Sequence, residues 1–174
     1  MELHTAVRLI ESGVPQGVEI QQWADLGAGN GLFTKALATL LGKGSTVTAV
    51  DTDESALRSI MLPSKDVILN KIHLDFSSTT LEMRNLDGIL MANSLHFIPE
   101  KAFMLDRFAS CLHASGRLIV VEYNTNIANP WVPYPISFHV LQKLAAKQFN
   151  AITKIGETHS AYSRANMYAA LLIP

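Results

Sequence analysis

The chain has 174 residues, with 14 Lys and Arg against 15 Asp and Glu, a hydrophobic fraction of 48% and one cysteine. Near-neutral charge argues against a broad electrostatic surface for nucleic acid or anionic membrane, and Cys111 alone excludes an internal disulfide and a multi-cysteine zinc site. The length suits one domain with its own core; the start Met1-Glu2-Leu3-His4 shows no basic segment leading into an apolar run, and no stretch nears the ~18 apolar residues a bilayer span needs, so a cytoplasmic protein is expected.

The N-terminal stretch Leu3–Gly13 reads as a helix, followed by a rather polar strand over Ile20–Leu26. Asn30–Leu41 places Phe33, Leu37, Leu40 and Leu41 on one helical face. Thr46–Val50 is a β-branched strand, Asp53–Met61 a helix with an acidic cap, and Val67–Leu74 a strand with indistinct edges. Gly88–Ala92 is continuously apolar, as a strand covered on both faces should be. After Pro99 a helix carries Phe103, Met104, Phe108, Cys111 and Leu112, with Cys111 on its apolar stripe, and Leu118–Val121 is the most strand-like run.

This alternation of strand and helix means βαβ units: an α/β domain with a parallel sheet and helices on both faces. Beyond Glu122 the pattern changes. Pro130, Pro133 and Pro135 surround Trp131 and Tyr134, a helix is expected from Ile136 to Phe149, and two strands, Ala151–Ile155 and Met167–Ile173, close the chain across a polar turn over 156–166.

Between the first strand and first long helix stands Asp25-Leu26-Gly27-Ala28-Gly29-Asn30-Gly31. Glycines there let the chain turn sharply and bring backbone close to a ligand, and the following helix points free N–H groups at the same spot. Asp51, twenty positions after Gly31, ends the second strand, where a carboxylate that grasps ribose hydroxyls belongs. Asp75 follows the third strand. It reads either as an acceptor for an adenine amino group or as the first residue of the turn Asp75-Phe76-Ser77-Ser78, and Asp53 as a helix cap. The dinucleotide fingerprint wants a further glycine at position 32, which is Leu32, so a nicotinamide cofactor is disfavoured.

The G-x-G-x-G run preceded by Asp25 resembles motif I of the class I, Rossmann-like S-adenosylmethionine-dependent methyltransferases. Ala49–Leu57, Leu74-Asp75-Phe76, Asp87–Phe97 and Ser115–Glu122 resemble that family's later motifs in the same order. The resemblance implies a three-layer fold with a mostly parallel seven-stranded sheet and a reversed C-terminal strand. It further implies one domain over 1–174: an N-terminal helix over the cofactor site in 1–19, a cofactor-binding core in 20–122, and a substrate-side loop, helix and closing hairpin in 123–174. Asp25, Gly27, Ala28, Gly29, Asn30 and Gly31 would hold the methionine end of S-adenosylmethionine, Asp51 its ribose, and Thr52, Asp75 and Phe76 its adenine, with Asn93 near the sulfonium.

A small-molecule methyl acceptor is the expected substrate. Asn93 is followed by Ser94-Leu95 and not by the prolines that mark amino-group methylation of adenine or glutamine, and nucleic acid is disfavoured. The alternatives are methylation of RNA or protein, or a cofactor-binding module without turnover. His96, after the fourth strand, reads as a base near the acceptor or as a turn residue. Glu122 and Tyr123, at the end of the fifth strand, read as further catalytic candidates or as caps. Trp131 and Tyr134 read as an aromatic wall for a planar substrate or as a packed cover, and His96 and Tyr123 join them as substrate candidates. His139, Tyr162 and Arg164 carry weaker signals. His73 with Asp75 supplies too few ligands for a metal, so none is expected. A homodimer over the crevice is compatible with the chain.

Overall fold

The computed structural model describes all residues except 18, 80 and 160–164. Seven strands form one sheet: β1 (Gln22–Leu26), β2 (Thr46–Asp51), β3 (Ile68–His73), β4 (Leu86–Ala92), β5 (Leu112–Tyr123), β6 (Ala151–Thr158) and β7 (Met167–Ile173). Their order is β3-β2-β1-β4-β5-β7-β6. β1 to β5 pair in parallel, while β7 runs antiparallel to both β5 and β6. This is the expected mostly parallel sheet with one reversed strand.

Helices α1 (Leu3–Ile10), α2 (Leu32–Leu40), α3 (Glu54–Ser59), α4 (Lys101–Cys111) and α5 (Phe138–Ala145) cover both faces. The strands alternate accordingly. In β5, Leu118 and Val120 face a core shared with Phe108 of α4 and Leu141 of α5, while Ile119 and Val121 face the core of α1 and α2 with Trp23 and Leu37. Leu57 and Ile60 pack α3 onto Ala49. Cys111 is buried in the first of these cores. Trp23 lies where a Cβ on Gly88 would stand 2.3 Å from its ring, so β4 needs a glycine beside that indole.

Four boundaries differ from the sequence expectations. The connection from β3 to β4 contains turns and no helix among its described residues, so the strand–helix alternation is interrupted there. β5 begins six residues early, at Leu112, because Leu112 already pairs with Leu86 of β4 and the polar residues His113–Gly116 bulge out before pairing resumes at Arg117. α5 is shorter than 136–149 and is held at its start by loop side chains: Asn126 Oδ1 accepts the Ser137 N–H at 3.3 Å, and Asn124 Oδ1 the Phe138 N–H at 3.1 Å. β6 runs through Gly156 to Thr158, where a turn was expected. A Cβ at Gly156 would meet the Leu9 carbonyl oxygen at 2.8 Å, so that glycine lets α1 lie against the strand.

α1 packs on α2 and β6, and none of its residues lines the crevice described next.

Candidate functional site

The chain crosses from one side of β1 to the other between β3 and β4, so the loops after β1 and β4 diverge and leave a crevice at the carboxyl edge of the sheet. A cavity of about 330 Å³ opens there. Gly27 and Gly29 line it from the loop after β1, Asp51 and Thr52 from the end of β2, and Asp75, Phe76 and Ser77 from the loop after β3. Asn93, Ser94, Phe97 and Ile98 close it from the loop after β4.

Each wall has a local cause. Gly27, Gly29 and Gly31 all adopt positive φ, which brings the backbone round in a tight loop before α2. A Cβ at Gly27 would fall 2.3 Å from Ser94 Cβ, and Ser94 Oγ donates to the Leu26 carbonyl at 2.7 Å. The β1 and β4 loops are thereby held in contact at the floor of the crevice. Gly29 differs, since an added Cβ would meet nothing within 4 Å. Asp51 faces this loop: its Oδ2 accepts the Gly29 N–H at 2.7 Å and its Oδ1 the Asp53 N–H at 2.9 Å. Asp53 in turn caps α3, accepting the Ala56 N–H at 2.9 Å.

Asp75 combines its two readings. It lines the cavity and also opens the turn, its Oδ1 accepting the Ser77 N–H at 2.9 Å and its Oδ2 the Ser78 hydroxyl at 3.0 Å. The Ser77 hydroxyl bond above all, and the neighbouring bonds with it, hold this carboxyl below its ordinary range despite slight desolvation. Phe76 is buried, with its ring 6.4 Å from that of Phe108.

Asp25 lies beneath the loop and is 1% exposed. Thr34 of α2 donates to its Oδ2 at 2.6 Å, while Oδ1 is sealed from solvent without a partner. Burial raises its pKa from 3.8 to about 7; the Thr34 bond opposes the rise and the Asp51 charge adds to it. Asn93 Oδ1 is likewise sealed and unpartnered, on a residue at φ 55°. Asp25 on β1 and Asn93, just after β4, thus each carry an enclosed acceptor without a donor, the kind of atom a cation or an N–H group satisfies.

Of the residues singled out from sequence, Gly27, Gly29, Asp51, Thr52, Asp75, Phe76 and Asn93 line the cavity. Asp25, Ala28, Asn30 and Gly31 do not. Gly31 answers a packing need, since a Cβ there would lie 2.6 Å from Ile60 Cγ2 of the residue that ends α3. His96 is not on the cavity wall either, and it is joined to Glu122: Nδ1 stands 2.7 Å from Oε2, with both side chains buried. Trp131 is 83% exposed and Tyr134 47%, so neither is a packed cover. The Tyr134 N–H donates to the His96 carbonyl at 3.0 Å, which brings the 124–137 loop against the loop after β4. His73 Nε2 lies 2.9 Å from the Thr52 carbonyl oxygen. Tyr162 and Arg164 lie outside the described residues. The sequence reading missed Ser77, Ser94, Phe97 and Ile98 as wall residues; the signal for the last three was their place immediately after β4, beside Asn93.

The sequence model of a family described as a methyltransferase domain matches residues 24–118, more than half of the chain. The chain belongs to the class I S-adenosylmethionine-dependent methyltransferase family. A ubiquinone/menaquinone biosynthesis C-methyltransferase, UbiE of Yersinia enterocolitica, is 29% identical over 139 residues, covering 76% of this chain and 54% of its own length. The chain thus spans about half the length of the curated relatives it matches. Among solved structures, an S-adenosylmethionine-dependent methyltransferase of Methanosarcina mazei superposes with a TM-score of 0.70 at 14% identity, covering 94% of this chain and 95% of that one. The 1,6-didemethyltoxoflavin-N1-methyltransferase of Burkholderia thailandensis, solved with its substrate and S-adenosylhomocysteine, superposes with a TM-score of 0.68 at 17% identity, covering 98% and 76%.

The family's cofactor carries an ammonium, a carboxylate, a cationic sulfonium and a ribose diol. The enclosed, donorless Asp25 Oδ1 and Asn93 Oδ1, the Asp51 carboxylate and the open space before Gly29 suit those groups.

Proposed function

We propose that the protein transfers a methyl group from S-adenosylmethionine to a small planar molecule. The observation that carries this reading is the crevice at the carboxyl edge of the sheet, walled by the backbone of Gly27 and Gly29 and by Asp51, Asp75 and Asn93. The charges of Asp51 on the wall and of Asp25 beneath the glycine loop would compensate a bound cation. Asp51 would accept from the two ribose hydroxyls with the lone pairs its backbone donors leave open. Phe76 and Thr52 would flank the adenine, with Asp75 accepting from its amino group.

Bound S-adenosylmethionine supplies an already activated methyl carbon, so the protein's share is alignment and exclusion of water. The exposed aromatics support a planar, partly apolar acceptor. Phe97 is 58% exposed on the crevice wall, and the loop bearing Trp131 and Tyr134 is hydrogen-bonded to the residue before it. The names of the quinone and toxoflavin methyltransferases, both of whose substrates are planar conjugated rings, support the same class.

The test is calorimetric titration with S-adenosylhomocysteine, NADH serving as control, followed by methyl transfer from radiolabelled cofactor to a panel containing a short-chain demethylmenaquinol, 1,6-didemethyltoxoflavin and 1-naphthol. Micromolar binding of the first ligand only, with label appearing in a planar acceptor, is expected. Binding without transfer to any planar acceptor, but with transfer to RNA or protein, would overturn the acceptor class. No binding by folded protein would overturn the cofactor site.

A further inference from the structure

Neither His96 nor Glu122 lines the cavity, yet the two form a buried pair. Nδ1 of His96 lies 2.7 Å from Glu122 Oε2, and Glu122 Oε1 accepts the backbone N–H of the same histidine at 3.1 Å. The side chains are 3% and 1% exposed. An ionised carboxylate only accepts, so the ring proton sits on Nδ1, and in the neutral imidazole Nε2 is a bare lone pair. One carboxylate thus holds both the ring, at Nδ1, and the backbone that carries it.

Nε2 makes no hydrogen bond among the described residues, nor is it sealed off. The described side-chain atoms that are both enclosed and unpartnered are Asp25 Oδ1, Asn93 Oδ1, Arg117 Nε and Gln148 Oε1. A purely structural buried histidine satisfies both nitrogens. Here one nitrogen is clamped by a carboxylate and the other is left open, which is how a general base is oriented by a third group. The ring belongs to the turn that supplies Ser94, Phe97 and Ile98 to the crevice wall. Its centroid is 4.3 Å from that of Phe97 and 6.1 Å from that of Tyr123, and the Tyr134 N–H donates to the carbonyl of the same histidine.

We propose that His96 is the general base for the acceptor, that Glu122 is its positioning residue, and that the acceptor is a planar molecule whose nucleophilic form requires loss of an O–H or N–H proton. This rests on the methyltransferase reading. In the step, the acceptor's O–H or N–H bond breaks and its electron pair stays with the acceptor, conjugated into the ring where carbon is the atom methylated. The proton bonds to Nε2, and the imidazolium so formed is balanced by the Glu122 carboxylate. After the product leaves, Nε2 returns the proton to water.

The test begins with imidazole nitrogen–proton correlation spectra of the full ¹⁵N-labelled chain loaded with S-adenosylhomocysteine, His96 being assigned through its contacts with the Phe97 and Tyr123 rings. Protonated Nδ1 and bare Nε2 are expected, and addition of 1-naphthol should move both nitrogens toward imidazolium positions. An Nε2-protonated ring, or a ring unchanged by 1-naphthol, overturns the proposal. The second arm is His96→Gln, which should hold the S-adenosylhomocysteine Kd within about 3-fold while lowering turnover of the planar acceptors by about 100-fold or more. Turnover within about 3-fold of wild type overturns the proposal, and the wild-type spectra decide it should the variant not fold. Absence of S-adenosylhomocysteine binding in the folded wild-type chain defeats the methyltransferase reading and the proposal together. Binding with an Nε2-protonated ring defeats the proposal alone.

Discussion

The Asp51 carboxylate accepts the Gly29 backbone N–H at 2.7 Å across 22 positions of sequence, joining the end of β2 to the tip of the glycine loop. One oxygen holds the loop and the other the start of α3 through the Asp53 N–H. Asp51→Ala therefore removes both the preorganisation of the loop and the proposed acceptor for two ribose hydroxyls. Charge-assisted bonds of this kind contribute about 1.5–3 kcal/mol each, so S-adenosylhomocysteine binding should weaken by about 2–4 kcal/mol, with the melting transition retained. Unchanged affinity in a folded variant, read by calorimetry, would show that the ribose sits elsewhere.

Asp25 gives the binding a pH dependence whose sign can be worked out. Its pKa in the free protein is raised from 3.8 to about 7, chiefly by burial. A cation bound in the crevice above it would favour the ionised form, so binding releases a proton wherever the free protein still holds it. Affinity for S-adenosylhomocysteine should therefore rise with pH up to about 7, by at most about tenfold per unit, and then level off. Titrations at pH 6 in buffers of different ionisation enthalpy should show proton release, and Asp25→Asn should abolish it. In the free protein the same shift acts against folding: the unfolded chain ionises first, so this group's contribution to stability falls as pH rises from 3.8 to about 7. Asp25→Asn should accordingly leave the free protein as stable at pH 8, or more so, while weakening the ligand.

The glycines of the loop separate by what they face. Gly29 has φ 50° and open space beyond its Cα, whereas a Cβ on Gly31 would stand 2.6 Å from Ile60 Cγ2. Gly29→Val should cost about 1–2 kcal/mol of backbone strain and project its methyls into the crevice, leaving a folded protein without measurable S-adenosylhomocysteine affinity. Gly31→Val adds the collision with Ile60 to the same backbone strain and should lower the melting temperature more. Equal effects of the two on ligand and fold would contradict this division.

That division was not legible in the spacing of the glycines, because a G-x-G-x-G run reads alike whether a residue meets ligand or a neighbouring helix. What the chain did announce was long-period information. Apolar runs such as Ile89–Met91 and Leu118–Val121 are covered on both faces and read as buried parallel strands. Acids at the ends of β1 and β2 read as a crevice, because parallel strands bring all their carboxyl ends to one edge. The hidden features were those made by pairing across the fold. Nothing in the order of residues joins His96 to Glu122, 26 positions away, or supports the polar start of β5, where His113 Nε2 binds Asp87 Oδ1 at 2.9 Å. Gly156 looked like a turn signal because its requirement comes from the Leu9 carbonyl of another element.

Trp131 provides the cleanest separation of acceptor from cofactor. Its side chain is 83% exposed, and its backbone is fixed by the Asn129 side chain, whose Oδ1 accepts the Trp131 N–H at 2.9 Å and the Val132 N–H at 3.0 Å. Truncating an indole that packs on so little should change stability by less than about 0.5 kcal/mol and leave S-adenosylhomocysteine affinity unaltered. If the ring covers a planar acceptor, Trp131→Ala should raise KM for that acceptor by about 5- to 30-fold, the effect of removing an aromatic contact worth about 1–2 kcal/mol, with kcat little changed. Trp131→Phe should recover most of the loss, because stacking needs a ring face and not the indole N–H. Equal KM values for wild type and Trp131→Ala would instead place the acceptor against Phe97 and the inner wall alone.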